Sequence, residues 1–203
     1  MEYPNWFART GQATFEAVLP AFAAAPATFL QIGAYTGDAS LWMLEHALIH
    51  SDSRLVDVDT WGGSDEVMHA DFDWDDVERT YVAKIAPHAA KVRSVKMTSD
   101  EFFAQSRQTF PAGFDFIYVD GDHEALPVLR DGVNAFANLK VGGILAFDDY
   151  TWNSGKGPFF DPGPAINAFY GMFAPYIEVL NSGLQFWVRK VGTPPGRASQ
   201  IRL

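Results

Sequence analysis

Two acidic signatures, each directly behind a short apolar run, limit what this 203-residue chain can fold into. Phe116-Ile117-Tyr118-Val119 runs into Asp120-Gly121-Asp122-His123, and Gly143-Ile144-Leu145-Ala146-Phe147 runs into Asp148-Asp149. Short apolar runs bounded by polar turns read as strands buried on both faces, as in parallel sheets. Neighbouring parallel strands that end in Asp aim several carboxylates at the sheet's carboxyl edge, where open α/β sheets bind their ligands. Converging carboxylates repel one another and so invite protons or a cation. The pattern marks a candidate active-site edge.

Strand and helix signals alternate along the rest of the chain. Apolar residues at helical spacing (Phe7, Phe15, Val18, Phe22) predict an N-terminal helix over about residues 6–25, bent or interrupted at Pro20. Strands are expected at residues 29–32, 54–58, 92–95, 114–119 and 144–147, with helices from Asp38, Val77, Ser99, Ala125 and Ala165. Residues 176–180 and 184–190 read as a closing hairpin about Asn181-Ser182-Gly183. Residues 62–76 are acidic and read as a solvated loop or, beside strand ends, as a mobile lid or substrate wall. Residues 155–164, rich in Gly and Pro, read as a loop. The fold class is therefore α/β: a Rossmann-like, doubly wound, mostly parallel seven-stranded sheet with an antiparallel closing hairpin. It forms one domain over residues 1–203, opening on an N-terminal helix (1–25) and closing on a loosely ordered tail (191–203).

Composition narrows the partners. A formal net charge of −10 argues against nucleic acid and against anionic membrane surfaces. No cysteine is present, which removes disulfides and thiolate metal sites. The first residues lack the basic start and apolar run of a secretory signal, and no apolar stretch approaches a membrane span. A cytoplasmic protein acting on a small molecule is expected, and a homo-oligomer is compatible with the chain.

The turn after the first strand carries Gly33 and Gly37. A dinucleotide turn wants a third, central glycine so that backbone can approach a pyrophosphate, but Tyr35 stands there, and no Gly-Lys-Ser/Thr phosphate loop follows. A bulky residue is tolerable for a ligand without phosphates, such as S-adenosylmethionine. Asp59 closes the second strand and is placed to accept from ribose hydroxyls.

At this point the chain resembles class I S-adenosylmethionine-dependent methyltransferases, and among them methyltransferase family 24, related to metal-dependent sugar and catechol O-methyltransferases. The resemblance rests on Trp6-Phe7, Phe29-Leu30-Gln31-Ile32-Gly33-x-x-x-Gly37, Asp59-Thr60-Trp61, Ile117 to His123, Leu139-Lys140-Val141-Gly142-Gly143, Phe147-Asp148-Asp149-Tyr150 and Gly183-Leu184-Gln185. It implies that Gly33 and Gly37 shape the turn beside the methionine moiety, that Asp59 holds the ribose, and that Ser99 and Met97 line the adenine slot. The first strand of the family usually carries an acidic residue where Gln31 stands here. Asp120 falls at the meeting of the cofactor and metal sites. The resemblance also implies that Asp120, Asp148 and Asp149 bind a divalent metal.

Those three oxygen ligands suit Mg2+ or Mn2+ rather than zinc. A cation so held lowers the pKa of a bound hydroxyl and orients it. His123, three residues past Asp120, is the candidate base, with Asp122 as rival base or orienting partner. Tyr150, Trp152 and Trp61 are candidates for an aromatic wall around a sugar or polyketide ring. The pattern thus predicts a metal-assisted O-methyltransferase for a small hydroxylated molecule. An NAD-linked oxidoreductase and a non-catalytic binding protein of the same fold are the other readings.

Overall fold

Seven strands form one sheet in the order β3-β2-β1-β4-β5-β7-β6 in the computed structural model, which describes residues 3–63 and 70–195. β1 (Thr28–Ile32), β2 (Arg54–Asp59), β3 (Val92–Lys96), β4 (Phe114–Val119) and β5 (Leu139–Phe147) are parallel; β7 (Phe186–Lys190) runs antiparallel to both β5 and β6 (Ile177–Ser182). An antiparallel strand set between β5 and β6 departs from the 3-2-1-4-5-6 order of dinucleotide-binding sheets.

The alternation of side chains divides the core into two layers. Leu30, Val56, Ile117, Val119, Leu145 and Phe147 face α5 (Ser99–Thr109), α6 (Ala125–Asn138) and α7 (Pro162–Phe173). Phe29, Leu55, Phe116, Tyr118, Ala146 and Trp187 face α2 (Gln12–Val18), α3 (Asp38–His46) and α4 (Trp74–Ile85). Phe15 anchors the second layer: it is fully buried and meets Phe116, Tyr118, Trp187 and Trp42 edge-on, with ring centroids 5.0–5.8 Å apart.

Several boundaries differ from the sequence expectation for local reasons. The N-terminal helix is split into α1 (Trp6–Thr10), α2 and a 3-10 turn at Leu19–Phe22, so it breaks at Gly11 as well as near Pro20. A Cβ at Gly11 would lie 2.8 Å from Nε2 of Gln185, so the break sits where the chain passes over that side chain. α4 starts at Trp74, earlier than Val77, because Asp73 accepts from the backbone N–H of Asp76 and caps it. Asp75 and Asp76 thereby lie at the helix's positive end. α7 starts at Pro162, which suits a first helical turn. Residues 64–69, within the expected acidic lid, and 196–203, within the expected tail, lie outside the described residues. Among the described residues no helix is long and apolar enough to cross a membrane.

Candidate active site

Gly33 leaves β1 with φ +85° and its N–H on the carbonyl of Val58 at 2.8 Å. A Cβ there would lie 1.9 Å from the carbonyl oxygen of Asp120, so the β1 turn and the end of β4 touch backbone to backbone. Gly37 takes φ +81° as the N-cap of α3, and a Cβ on it would meet the Tyr81 ring at 2.9 Å. Tyr35 between them also has positive φ, 50°.

Asp59 holds this strained turn. Its Oδ2 accepts from the N–H groups of Ala34 (2.7 Å) and Tyr35 (2.9 Å), and its Oδ1 from the N–H of Trp61 (2.7 Å). The carboxylate expected to meet a ribose is thus first a strap for the turn, with lone-pair capacity left at Oδ1. Trp61 is buried, with its indole N–H on the carbonyl of Tyr35, so it belongs to the strap and not to an acceptor wall. Gln31 is also buried: Nε2 donates to the carbonyl of Gly33 at 2.8 Å, and Oε1 accepts from Ser40 at 3.1 Å. It supports the turn from behind.

Met97 follows β3 and lies alongside, its N–H on the carbonyl of Asp59 at 3.1 Å. The cap of α5 is Thr98, which forms a reciprocal capping box with Glu101, and Ser99 is the first helical residue. The Ser99 hydroxyl faces Asp131 of α6 and favours its charged form. Asp131 is 3% exposed, its Oδ1 has no partner, and burial pushes its pKa up to about 6. Serine's side chain therefore serves the α5–α6 contact.

The acidic edge assembles next to the turn. The N–H of Asp120 bonds to the carbonyl of Ile32 and that of Asp148 to the carbonyl of Val119, at 2.9 and 3.0 Å, so β1, β4 and β5 end in step. Asp148 stands beside Asp120, close enough for its carboxyl to raise the proton affinity of Asp120. Nε2 of His123 lies 2.9 Å from Oδ2 of Asp149. Asp120, His123 and Asp149 each offer one ligand atom within 4.8 Å of the others. Asp149 is held at φ 53°, a left-handed conformation that costs a non-glycine residue about 1–3 kcal/mol.

Burial, with the charges of Asp148 and Asp149 alongside, pushes the Asp120 carboxyl well above its usual range. Asp148 is raised by burial and by Asp149, against the hydrogen bond it accepts from Gln185 and the influence of the nearby Tyr118 hydroxyl. The three aspartates expected to meet do converge. The group spaced for one cation, however, contains His123 in place of Asp148, which stands behind it. Asp122 does not join them: its Oδ1 accepts from the N–H of Glu124 at 2.8 Å and opens the way into α6. Of the two candidate bases, His123 reaches the cluster.

Gln185 was not singled out for chemistry by the sequence. It is 1% exposed, and Nε2 donates to Oδ1 of Asp148 (2.8 Å) and to the Tyr118 hydroxyl (3.2 Å), while Oε1 accepts from the Trp187 indole (3.0 Å). Its partners are 37 and 67 residues away along the chain, so no local pattern announces them. Beyond the cluster a cleft of about 540 Å³ runs between Tyr150, Trp152, Pro158, Asp161 and Asn167. Trp152 joins cleft to cluster, its ring 5.4 Å from that of His123.

Known proteins share this fold. A family model described as a methyltransferase domain matches residues 30–150, from within β1 to just past the Asp148-Asp149 pair. The uncharacterized protein R132 of Acanthamoeba polyphaga mimivirus is 27% identical over 152 residues, 72% of this chain; the match spans 63% of that protein's length. The O-methyltransferase TomG of Streptomyces achromogenes, solved with S-adenosylmethionine, superposes with a TM-score of 0.61 at 15% identity, over 94% of this chain and 92% of its own. The MycE methyltransferase of the mycinamycin pathway, solved with Mg, S-adenosylhomocysteine and mycinamycin VI, gives 0.58 at 14% identity over 94% of this chain and half of its own. The fold is that of class I S-adenosylmethionine-dependent methyltransferases, and the family match covers more than half of the sequence: the chain belongs to methyltransferase family 24.

Proposed function

We propose that the protein is an S-adenosylmethionine-dependent O-methyltransferase, assisted by a divalent cation, acting on a hydroxyl of a sugar or small natural product. One observation carries this reading: the glycine turn and the acidic edge meet at Gly33 and Asp120 with no room for a side chain between them. A donor held by the turn and an acceptor held at the edge would be neighbours.

The residues fit both groups. Glycine at 33 leaves backbone exposed beside the strand ends, and Gly37, Asp59 and Met97 complete that side of the cofactor site, with Gln31 and Ser99 supporting it from below. Asp120 and Asp149, with Asp148 behind them, offer a cation the negative charge it needs, and His123 stands within the same cluster with one ring nitrogen turned to Asp149. When bound, S-adenosylmethionine supplies a methyl on a good leaving group and Mg2+ or Mn2+ supplies a Lewis acid. The magnesium in the MycE complex supports that assignment.

The remaining tasks fall to the chain itself. Asp120 belongs to both sites and so fixes the distance between them; alignment of this kind is worth about 7–11 kcal/mol of barrier. Tyr150 and Trp152 offer the acceptor ring faces in the cleft. His123 takes the hydroxyl proton at its imidazole, and Asp149 orients the ring. Calorimetry with S-adenosylhomocysteine, then labelled methyl transfer to hydroxylated acceptors with Mg2+ or with chelator, tests the reading. Binding and chelator-sensitive transfer are expected; absence of binding at millimolar ligand overturns it.

A further inference from the structure

Beneath the glycine turn the sheet carries a row of polar side chains. Ser94, Asp57, Gln31 and Tyr118 are register partners on β3, β2, β1 and β4, and so stand side by side on the face covered by α2, α3 and α4. Asp57 is fully buried. Its Oδ2 accepts from the Tyr81 hydroxyl at 2.8 Å, and Tyr81 in turn lies 2.8 Å from Oγ of Ser94. Its Oδ1 has no hydrogen-bond partner within ordinary distance, although Ser40 of α3 stands beside the carboxyl. Ser40 has one proton, and it is given to Oε1 of Gln31. Towards Asp57, Ser40 is therefore left only as an acceptor. While Ser40 keeps its bond to Gln31, an ionised carboxylate has no proton to give it; a protonated one does.

The surroundings favour the proton. Burial raises the Asp57 pKa to about 7; the bond from Tyr81, and the nearby Ser40 hydroxyl that an ionised carboxyl would attract, act against the rise, and the charge of Asp59 adds to it. The nearest lysine of α4, Lys84, is bound to Asp38 at 2.6 Å, and Lys96 of β3 is bound to Glu78. Among the described residues Asp57 thus faces Tyr81 from α4, Ser40 from α3, Ser94 through Tyr81, and Asp59 along its own strand.

We infer that Asp57 is a positioning residue for the cofactor turn: its protonated carboxyl donates to Ser40 and completes a one-way hydrogen-bond chain from Ser94 through Tyr81, Asp57, Ser40 and Gln31 to the carbonyl of Gly33, which makes cofactor affinity depend on pH. The cofactor half of this rests on the function proposed above. On ionisation the Ser40 hydroxyl turns to the carboxylate, because a charge-assisted bond is the stronger one. Gln31 then loses the donor that fixes its amide, and Gly33 loses the orienting bond. Affinity falls as pH rises.

Two measurements on the full chain test this. In NMR of protein labelled at Asp and Gln, the Asp57 carboxyl carbon should titrate near neutral pH, and the Gln31 side-chain amide should move with the same midpoint. Ser40→Ala should uncouple the two. An Asp57 already ionised at about pH 5, close to an ordinary carboxylate, overturns the inference, and so does a Gln31 amide that stays still. In calorimetry, wild-type affinity for S-adenosylhomocysteine should weaken on the order of five- to tenfold between about pH 6 and pH 8.5, the loss of one hydrogen bond. Asp57→Asn donates to Ser40 at every pH and still accepts from Tyr81, so its profile should lack the five- to tenfold step and keep only what other groups, such as Asp120, contribute. Parallel profiles for the two proteins overturn the link to the cofactor. No binding by either protein removes the proposed function instead, and the NMR titration then decides the chain by itself.

Discussion

Gly33 and Asp120 are in backbone contact across the β1–β4 pair, with only a hydrogen atom's space at the Gly33 α-carbon on that side. Alanine at 33 would have to displace the Asp120 carbonyl and also hold a φ of +85°. Gly33→Ala should therefore move the β4 end as well as the turn. We expect S-adenosylhomocysteine binding to weaken more than about a hundredfold, equivalent to about 2.7 kcal/mol. Calorimetry checks this, with circular dichroism as the control for folding.

Asp59 spends its charge on three backbone N–H groups. Asp59→Ala leaves those donors without their acceptor and releases a turn containing two residues, Tyr35 and Trp61, at positive φ. A loss of about 2–4 kcal/mol of stability is expected from charge-assisted bonds of this number. Urea unfolding measures it, and Asp59→Asn should recover part of the loss.

Gln185 reaches Asp148 from a different strand and fixes which way that carboxylate points. Gln185→Leu keeps the volume but removes the donors to Asp148 and Tyr118 and the acceptor for Trp187. Groups that stand behind metal ligands, here Asp148 and the amide that holds it, typically change metal affinity or activity by about 10–100-fold. The Mg2+ concentration for half-maximal transfer should rise by about that factor, with S-adenosylhomocysteine affinity changed far less.

His123→Gln tests the proton's destination. Glutamine retains a polar side chain near Asp149 but cannot take a proton, so kcat should fall by about 10²–10⁴. The KM for the cofactor should stay within a few-fold, because the β1 turn does not use His123. A variant with unchanged kcat would transfer the base role elsewhere.

Asp131 gives a stability change whose sign is fixed. Its folded pKa, about 6, lies above the ordinary carboxylate value of 3.8 because burial disfavours the charge. Between those values the folded protein holds a proton that the unfolded chain has released, so this residue's contribution declines as pH rises from about 4 to 6 and is level above. Asp131→Asn keeps an acceptor for Ser99 and carries no charge. It should match wild type near pH 4 and exceed it at pH 8 by up to about 3 kcal/mol, read as a difference in melting temperature across the pH series.

The parts of this molecule that were legible in its sequence are those set by short-range pattern. Apolar runs at Phe29–Ile32, Phe116–Val119 and Ile144–Phe147 lie in the strands they announce, and each run ending in Asp delivers that Asp to one edge. Helix starts were placed less well where the cap lies outside the apolar pattern, as with Asp73 before α4, whereas α5 starts at Ser99 as expected. The roles of Asp59, Ser99 and Gln31 depend on which side chain meets which backbone group after folding. The same is true of Asp148 against His123: three carboxylates in sequence do not say which of them turns inward to Gln185. Sequence spacing brings groups to one place, while tertiary packing decides how they face.

The insertion of β7 beside β5 also orders events on the ribosome. Until residues 186–190 emerge, the pairing edge of β5 is open along Ile144–Phe147, and Asp148 has no amide from Gln185 to set it. An open, apolar strand edge in a growing chain invites pairing with other chains. Translation of the final hairpin therefore caps an adhesive edge and orients the Asp148 carboxylate in a single docking event, so a release just short of Gln185 would yield a sticky polypeptide whose acidic edge is unset.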